Sequence, residues 1–211
     1  MKLNANDGGH RKFILVQLQE KIELKSGQSN KEKKITQSAL SFLRKNKLPE
    51  NICEIAKARI KFSAELIKSE INNKNFDCGF RVFKVDDTNM KDVYYAPKEY
   101  SQTQLSMFES NIKDDRTDED LLYGCLLDWG VELSLPHKVE TIDGKRVHIV
   151  NEDDLIACFE ENISETVVKE IAKKQPTRVV FRDSSFSSDD NRINVEEIFK
   201  LQSPNTRVKV I

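Results

Sequence analysis

The sequence predicts an α/β protein, the trailing part of a doubly wound sheet followed by a small α/β carboxy-terminal domain. Three observations carry that expectation. Phe13-Ile14-Leu15-Val16-Gln17-Leu18 is a nearly continuous apolar run entered from the Gly8-Gly9 pair; a short run of that kind reads as a strand buried on both faces of a parallel sheet. A long helical pattern and a second apolar run, Phe80-Arg81-Val82-Phe83-Lys84-Val85, follow it. From Arg116 onward, helix and strand signals alternate in the order a parallel sheet with crossover helices requires.

The elements are read in order. The polar residues ahead of Phe13 cannot cover a two-faced strand, so the first run is expected to be one strand of something larger. Residues 26–34, Ser-Gly-Gln-Ser-Asn-Lys-Glu-Lys-Lys, read as a polar loop. A short helix is expected over residues 35–45, with Ala39, Leu40, Phe42 and Leu43 as its apolar side and Pro49 beyond its end. A long helix is expected over residues 51–71, where Ile52, Ile55, Ala56, Ile60, Ala64, Ile67 and Ile71 recur at spacings of three and four. Residues 80–85 then read as a strand. From Asp86 to Asp115 the apolar density falls, which marks a connector with one short helix near residues 102–112. Tyr94, Tyr95 and Tyr100 in it read either as anchors that pin the connector or as platforms for bases. The expected organisation is therefore residues 1–86, a connector over 87–115, and a second domain over 116–211.

In the second domain, Thr117-Asp118-Glu119-Asp120 is a capping box ahead of the apolar Leu121, Leu122, Cys125, Leu126 and Trp129, and Gly130 stops that helix. Asp143-Gly144 supplies the positive φ of a tight hairpin between residues 139–142 and 145–150. Strands are expected at 155–159, 178–181 and 207–211, with helices at 164–174 and 194–201, the latter capped by Asn194 with Glu197 three residues on.

Composition narrows the classes. With 34 basic and 35 acidic residues the net charge is −1, which gives no global electrostatic footprint for nucleic acid. Two local basic clusters stand out: Lys31, Lys33, Lys34, Arg44, Lys45 and Lys47, and then Lys57, Arg59 and Lys61. Each reads as a solvated helix face or as a phosphate-contacting one. Cys53, Cys78, Cys125 and Cys158 form no Cys-x-x-Cys pair, so no zinc site is expected. No signal peptide or long apolar segment is visible, so no membrane association is expected, and a reducing cytoplasm is the expected location.

Glu20 follows the first apolar run. An acidic residue after a strand of a cofactor-binding sheet often holds ribose hydroxyls; Glu20 is the cofactor-binding candidate, with Gln17 and Gln19 beside it. The alternative is a surface glutamate at a strand end. Asp183, at the end of the 178–182 run, together with Asp153, Asp154, Asp189 and Asp190, outlines an imaginable metal centre, but Ser-Ser-Phe-Ser-Ser-Asp-Asp reads first as a loop with helix-capping groups. His10, His137 and His148 show no spacing that links them to a nucleophile or metal, so neither catalytic nor metal-binding residues are assigned.

Several stretches resemble a known family. Residues 1–18, Met-Lys-Leu-Asn-Ala-Asn-Asp-Gly-Gly-His-Arg-Lys-Phe-Ile-Leu-Val-Gln-Leu, closely resemble an internal stretch of the Mod subunit of type III restriction-modification systems. The resemblance continues at Ile52-Cys53-Glu54-Ile55-Ala56-Lys57-Ala58-Arg59-Ile60, Gly79-Phe80-Arg81-Val82-Phe83-Lys84-Val85-Asp86, Asp115-Arg116-Thr117-Asp118-Glu119-Asp120-Leu121-Leu122-Tyr123, Leu155-Ile156-Ala157-Cys158-Phe159, Arg178-Val179-Val180-Phe181-Arg182-Asp183-Ser184 and Arg207-Val208-Lys209-Val210-Ile211. It covers nearly the whole chain, in the family's order. It implies an adenine-specific DNA methyltransferase that uses S-adenosylmethionine, with residues 1–86 as the trailing part of a Rossmann-like methyltransferase sheet. It also implies DNA, a second Mod copy, the restriction subunit or an upstream methyltransferase fragment as partners.

The chain departs from the family at two motifs. The Asp-Pro-Pro-Tyr box that holds a flipped adenine is absent, since the five prolines include no adjacent pair. The Phe-x-Gly-x-Gly-Thr loop that wraps the cofactor is absent, since the seven glycines include no Gly-x-Gly. In the family both lie upstream of the matched part. The resemblance therefore implies a carboxy-terminal portion without catalytic residues, inactive and free of cofactor by itself. A stand-alone protein-interaction module is the rival expectation.

Overall fold

The computed structural model describes residues 1–71, 76–91, 111–186 and 189–211. It is a mixed α/β protein with a helical amino-terminal part and a five-stranded mixed sheet with interspersed helices. The chain divides into two compact units, Met1–Val82 and Phe83–Ile211. No described helix is long and apolar enough to cross a membrane.

The first unit holds α1 (Lys2–Asp7), α2 (Asn30–Lys45) and α3 (Ile52–Glu70). Helix α2 begins five residues before the expected residue 35. Ser29 accepts from the backbone N–H of Glu32 while the Glu32 carboxylate accepts from that of Ser29, a reciprocal cap that draws part of the expected loop into the helix. Helix α3 matches its pattern, with Asn51 as the cap accepting from the Glu54 N–H and Ile71 ending it. Leu40 and Leu43 of α2 and Ala64 and Ile67 of α3 are buried, and Phe42 meets Phe62 edge to face at 6.0 Å.

Two expected strands do not form. Residues 13–18 and 80–85 carry no ladder. A strand needs a neighbour to bond its N–H and C=O groups, and no described segment offers one. Among the described residues of the first unit there is one isolated bridge, between Lys21 and Asn51. Ile14, Val16 and Leu18 are left 90%, 92% and 77% exposed.

The second unit holds the sheet. Its helix α4 (Asp118–Asp128) starts at the expected box: Thr117 accepts from the Asp120 N–H and Asp120 accepts from that of Thr117. Gly130, at φ 63°, turns the chain out of the helix. Strands β1 (His137–Ile142) and β2 (Lys145–Val150) form the expected hairpin, and positive φ at both Asp143 and Gly144 gives the primed turn whose twist matches paired strands. Then follow β3 (Leu155–Cys158), α5 (Glu165–Lys173), β4 (Arg178–Phe181), α6 (Asp189–Gln202) and β5 (Arg207–Val210). Helix α6 starts ahead of the expected residue 194, so Asn194 is interior to it rather than its cap.

The sheet order is β1-β2-β3-β4-β5. Strands β3, β4 and β5 are parallel, and the hairpin extends that parallel core on the β3 side through antiparallel pairing. Both crossovers step to the next strand in one direction, which puts α5 and α6 on a common face. There Val167, Ile171, Val195 and Phe199 meet Ile156, Val179 and Phe181. Helix α4 covers the other face, with Leu121, Leu122 and Leu126 against Leu155, Ala157 and Val180. Strands β3 and β4 are buried on both faces, as their continuous apolar runs require.

The second unit also draws in residues ahead of α4. The Phe83 ring meets Tyr123 at 4.9 Å, Met90 bridges to Ile112, and the Asn89 side-chain amide donates to the Asp120 carbonyl. The rest of the expected connector, with Tyr94, Tyr95, Tyr100 and most of the expected 102–112 helix, lies outside the described residues.

A fragment spanning Phe83–Ile211 should fold by itself, with a cooperative urea transition reported by Trp129 fluorescence. Within it Phe181→Ala should cost about 3–5 kcal/mol, because the ring, on β4, is fully buried under α5 and α6 against Phe186 and Phe199. A gradual transition in the fragment would contradict a self-contained core.

Candidate functional site

The cofactor-binding candidates Gln17, Gln19 and Glu20 are all exposed. What fixes them is backbone. The Glu20 carbonyl accepts from the Ile52 N–H at 3.0 Å, and the Ile22 N–H donates to the Glu50 carbonyl at 2.8 Å. The Cys53 thiol lies 3.7 Å from the Leu18 carbonyl oxygen. The Gln17 side-chain amide donates to the Leu18 carbonyl. These contacts tie the end of the apolar run to the first turn of α3, so the Glu20 backbone is held at one place while the run before it stays unpaired.

That run alternates. Phe13 and Leu15 line a groove with Ala56, Ile60, Leu66 and Ile67 on α3. Ile14, Val16 and Leu18 are far more exposed than Phe13. Phe13 and Leu15 are themselves 48% and 67% exposed, so the α3 groove shields that side of the run only in part.

The second unit contains a polar cluster that sequence spacing did not suggest. His148, only 3% exposed, lies on β2, and its Nδ1 is 3.1 Å from Nε2 of His137 on β1. The rings stack with centroids 5.3 Å apart. The hairpin register explains the meeting: His148 pairs with Val139, two residues from His137, so the two side chains share a face diagonally. Nε2 of His148 sits 3.6 Å from the Asp118 carboxylate at the start of α4. Asp118 lies 2.9 Å from the Arg146 guanidinium, whose Nε donates to Glu160 at 2.6 Å. The Arg146 hydrogen bond holds the Glu160 carboxyl below its ordinary range, and Glu160 in turn raises Arg146. The arrangement joins α4 to the hairpin through charge. The Tyr123 ring lies edge-on to His137 with centroids 6.4 Å apart.

The imagined carboxylate centre is not brought together. Asp153 and Asp154 lie in the turn before β3, where Asp154 accepts from Asn151. Asp183 follows β4 and pairs with Arg192 at 3.4 Å. Because β3 and β4 are parallel, the start of one and the end of the other are at opposite ends of the sheet. Ser185 is fully buried in the 3₁₀ turn Asp183–Ser185, and its carbonyl accepts from the Ile163 N–H. Burial pushes the thiols of Cys125 and Cys158 up to about 11, which leaves them as small apolar groups.

No family model and no curated protein matches the chain.

Four carboxylates of the second unit are held low among the described residues: Asp86 by the Asp87 N–H and Lys84, Asp120 by the Thr117 N–H and hydroxyl, Glu140 by Lys138 and Lys174, and Glu160 by Arg146. A carboxyl whose folded value lies below its unfolded value adds stability that is present above the unfolded value and lost as pH falls through the folded one. The urea midpoint of the Phe83–Ile211 fragment should therefore fall as pH drops below the ordinary glutamate value of 4.5. Glu160→Gln should flatten part of that fall. A midpoint unchanged between pH 5 and pH 3 would contradict the assignment.

Proposed function

We propose that this chain contributes the carboxy-terminal part of an adenine-N6 DNA methyltransferase of the type III Mod kind, dependent on S-adenosylmethionine and completed by a polypeptide that carries the two motifs this sequence lacks. The observation that carries the proposal is the alternating, unpaired apolar run at residues 13–18. Phe13 and Leu15 border a groove on α3, Ile14, Val16 and Leu18 are 90%, 92% and 77% exposed among the described residues, and the Glu20 backbone is fixed at the end of the run. A strand in the interior of a doubly wound sheet has this requirement for neighbours on both edges and cover on both faces. Val82 and Phe83, 58% and 53% exposed, and Val85, 99% exposed, present a second apolar stretch with no ladder.

The resemblance of the sequence supplies the chemistry. In a completed sheet the Glu20 carboxylate, beyond the strand end, would accept hydrogen bonds from the cofactor ribose hydroxyls, with Gln17 and Gln19 adding polar contacts. Base methylation needs a pocket for an extruded adenine, and the residues for that pocket would come from the completing polypeptide. The second unit, with its own core, would serve as the docking surface for a second Mod copy or the restriction subunit. The cytoplasm is the compartment this function implies.

Labelled S-adenosylmethionine and an adenine-containing duplex test the proposal. This chain alone should transfer no label. Added to the amino-terminal portion of a type III Mod protein carrying both motifs, it should restore transfer, and Glu20→Ala should cut the restored rate at limiting cofactor by about 10-fold, the scale of one lost charge-assisted hydrogen bond pair. Transfer by this chain alone would overturn the proposal. So would a stable complex of the two parts, seen by size exclusion, that transfers nothing.

A further inference from the structure

We infer that the facing imidazoles of His137 and His148 are a two-proton release: the start of β1 stays held to β2 while the pair carries at most one positive charge, and it lets go when both rings are charged. Nε2 of His137 and Nδ1 of His148 are 3.1 Å apart, so one nitrogen carries the hydrogen between them and the other accepts it. In the neutral pair the donor is His137. The other arrangement would leave the Nε2 lone pair of His148 bare, 3.6 Å from the Asp118 carboxylate. His148 therefore keeps its own hydrogen on Nε2, towards that carboxylate but too far from it for a hydrogen bond.

The count of protons follows from this bond. One added proton leaves it intact whichever ring takes it, because one facing nitrogen stays bare. On His137 the proton goes to Nδ1, and Nε2–H still donates. On His148 it goes to Nδ1, which then donates to His137 as the Nε2 hydrogen of His137 moves to that ring's Nδ1. A second proton puts a hydrogen on both facing nitrogens and a charge on both rings, and the bond is lost. The surroundings favour the same count. Asp118, at the start of α4, is the acid that meets one imidazolium. Arg146 on β2 stands 2.9 Å from the same carboxylate and is held by Glu160 after β3, so a second imidazolium adds to a cation already there. The remaining titratable neighbours are Tyr123 of α4, whose ring lies against His137, and Cys158 of β3, whose thiol burial pushes up to about 11.

His137 is the ring that leaves. His148 is 3% exposed, with the Phe159 ring 6.1 Å away, whereas His137 is half-buried and opens β1. Strand β1 is an outer strand of the sheet, none of its residues is buried, and its Lys138 and Glu140 pair with each other at 2.9 Å. Little apolar packing holds its first half, so one ring-to-ring bond weighs there. Histidine is the side chain whose ordinary charge change falls between pH 5 and 8. The release thus acts at an open sheet edge, the kind of surface to which a partner's strand adds.

The full chain has three histidines, so imidazole nitrogen NMR follows each, with His10→Gln and His137→Gln giving the assignment. Between pH 8 and pH 5, His137 and His148 should charge in two separate steps. Amide exchange at residues 138–140, corrected for its intrinsic pH dependence, reports the β1–β2 ladder. Protection there should hold through the first step and fall about 10-fold at the second, the scale of one lost hydrogen bond. Protection at Ile156 and Val179 should hold throughout. In His137→Gln, whose fold circular dichroism checks, protection at 138–140 should change less than twofold over the same range. Both rings charged with the ladder intact would overturn the inference. So would an equal fall in His137→Gln, or a pair still short of two protons at pH 5. The wild-type titration decides the first and last of these by itself, whether or not the variant folds.

Discussion

A β-strand cannot satisfy its own backbone. Its N–H and C=O groups need a neighbour on each edge, and an apolar strand needs cover on each face. In Phe83–Ile211 that requirement is met. Five strands pair in chain order, β3 and β4 are sealed between α4 and the α5–α6 layer, and residues such as Ile156 and Val180 are fully buried. In Met1–Val82 it is not met. Residues 13–18 have the composition and alternation of a strand, with Ile14 and Val16 almost fully exposed. The functional proposal follows from that contrast, because an apolar run with no ladder is a surface that invites another chain.

The polar cluster shows a different constraint. His148 is buried against α4, on the face of β2 that also carries Val150. Nδ1 of His148 has His137 as its partner, whereas its Nε2 makes no hydrogen bond and lies 3.6 Å from the Asp118 carboxylate. His137, Asp118, Arg146 and Glu160 form a chain of contacts that crosses from the hairpin to the first turn of α4 and on to the segment after β3. Removing one member strands the next, so these residues specify how α4 docks on the sheet. Trp129, half-buried at the other end of α4, has the Arg178 and Lys209 cations over its ring, and Lys209 also pairs with Asp128. Charge therefore fixes both ends of one helix whose middle is held by leucines.

Most of the second unit was legible from its residues, because local chemistry and tertiary packing agree there. The Thr117–Asp120 box, the Asp143-Gly144 turn and the runs of β3 and β4 each act through neighbours in sequence. The His137–His148 contact was readable too: a two-residue turn at Asp143-Gly144 fixes the register, and the register puts both rings on one face. The start of α2 was hidden behind a polar composition, although Ser29 with Glu32 three residues on is itself a cap signature. Helix α6 begins at Asp189, so Asn194, whose side chain is of the capping kind, is interior to it. The separation of Asp183 from Asp153 and Asp154 depends on strand direction, which spacing alone does not carry. Glu20 is exposed with only its backbone fixed, by the Ile52 N–H on its carbonyl, so the structure leaves the cofactor-binding expectation untested.

Hydrogen exchange of the full chain, read by peptide mass spectrometry, tests the central claim most directly. Unpaired amides exchange at rates near those of a free peptide, while ladder amides in a core exchange only on opening. The account predicts rapid exchange at residues 14–18 alongside strong protection at residues 156–158 and 179–181. Protection at 14–18 equal to that of β4 would mean that the run already has its ladder, and the chain would need no completing partner.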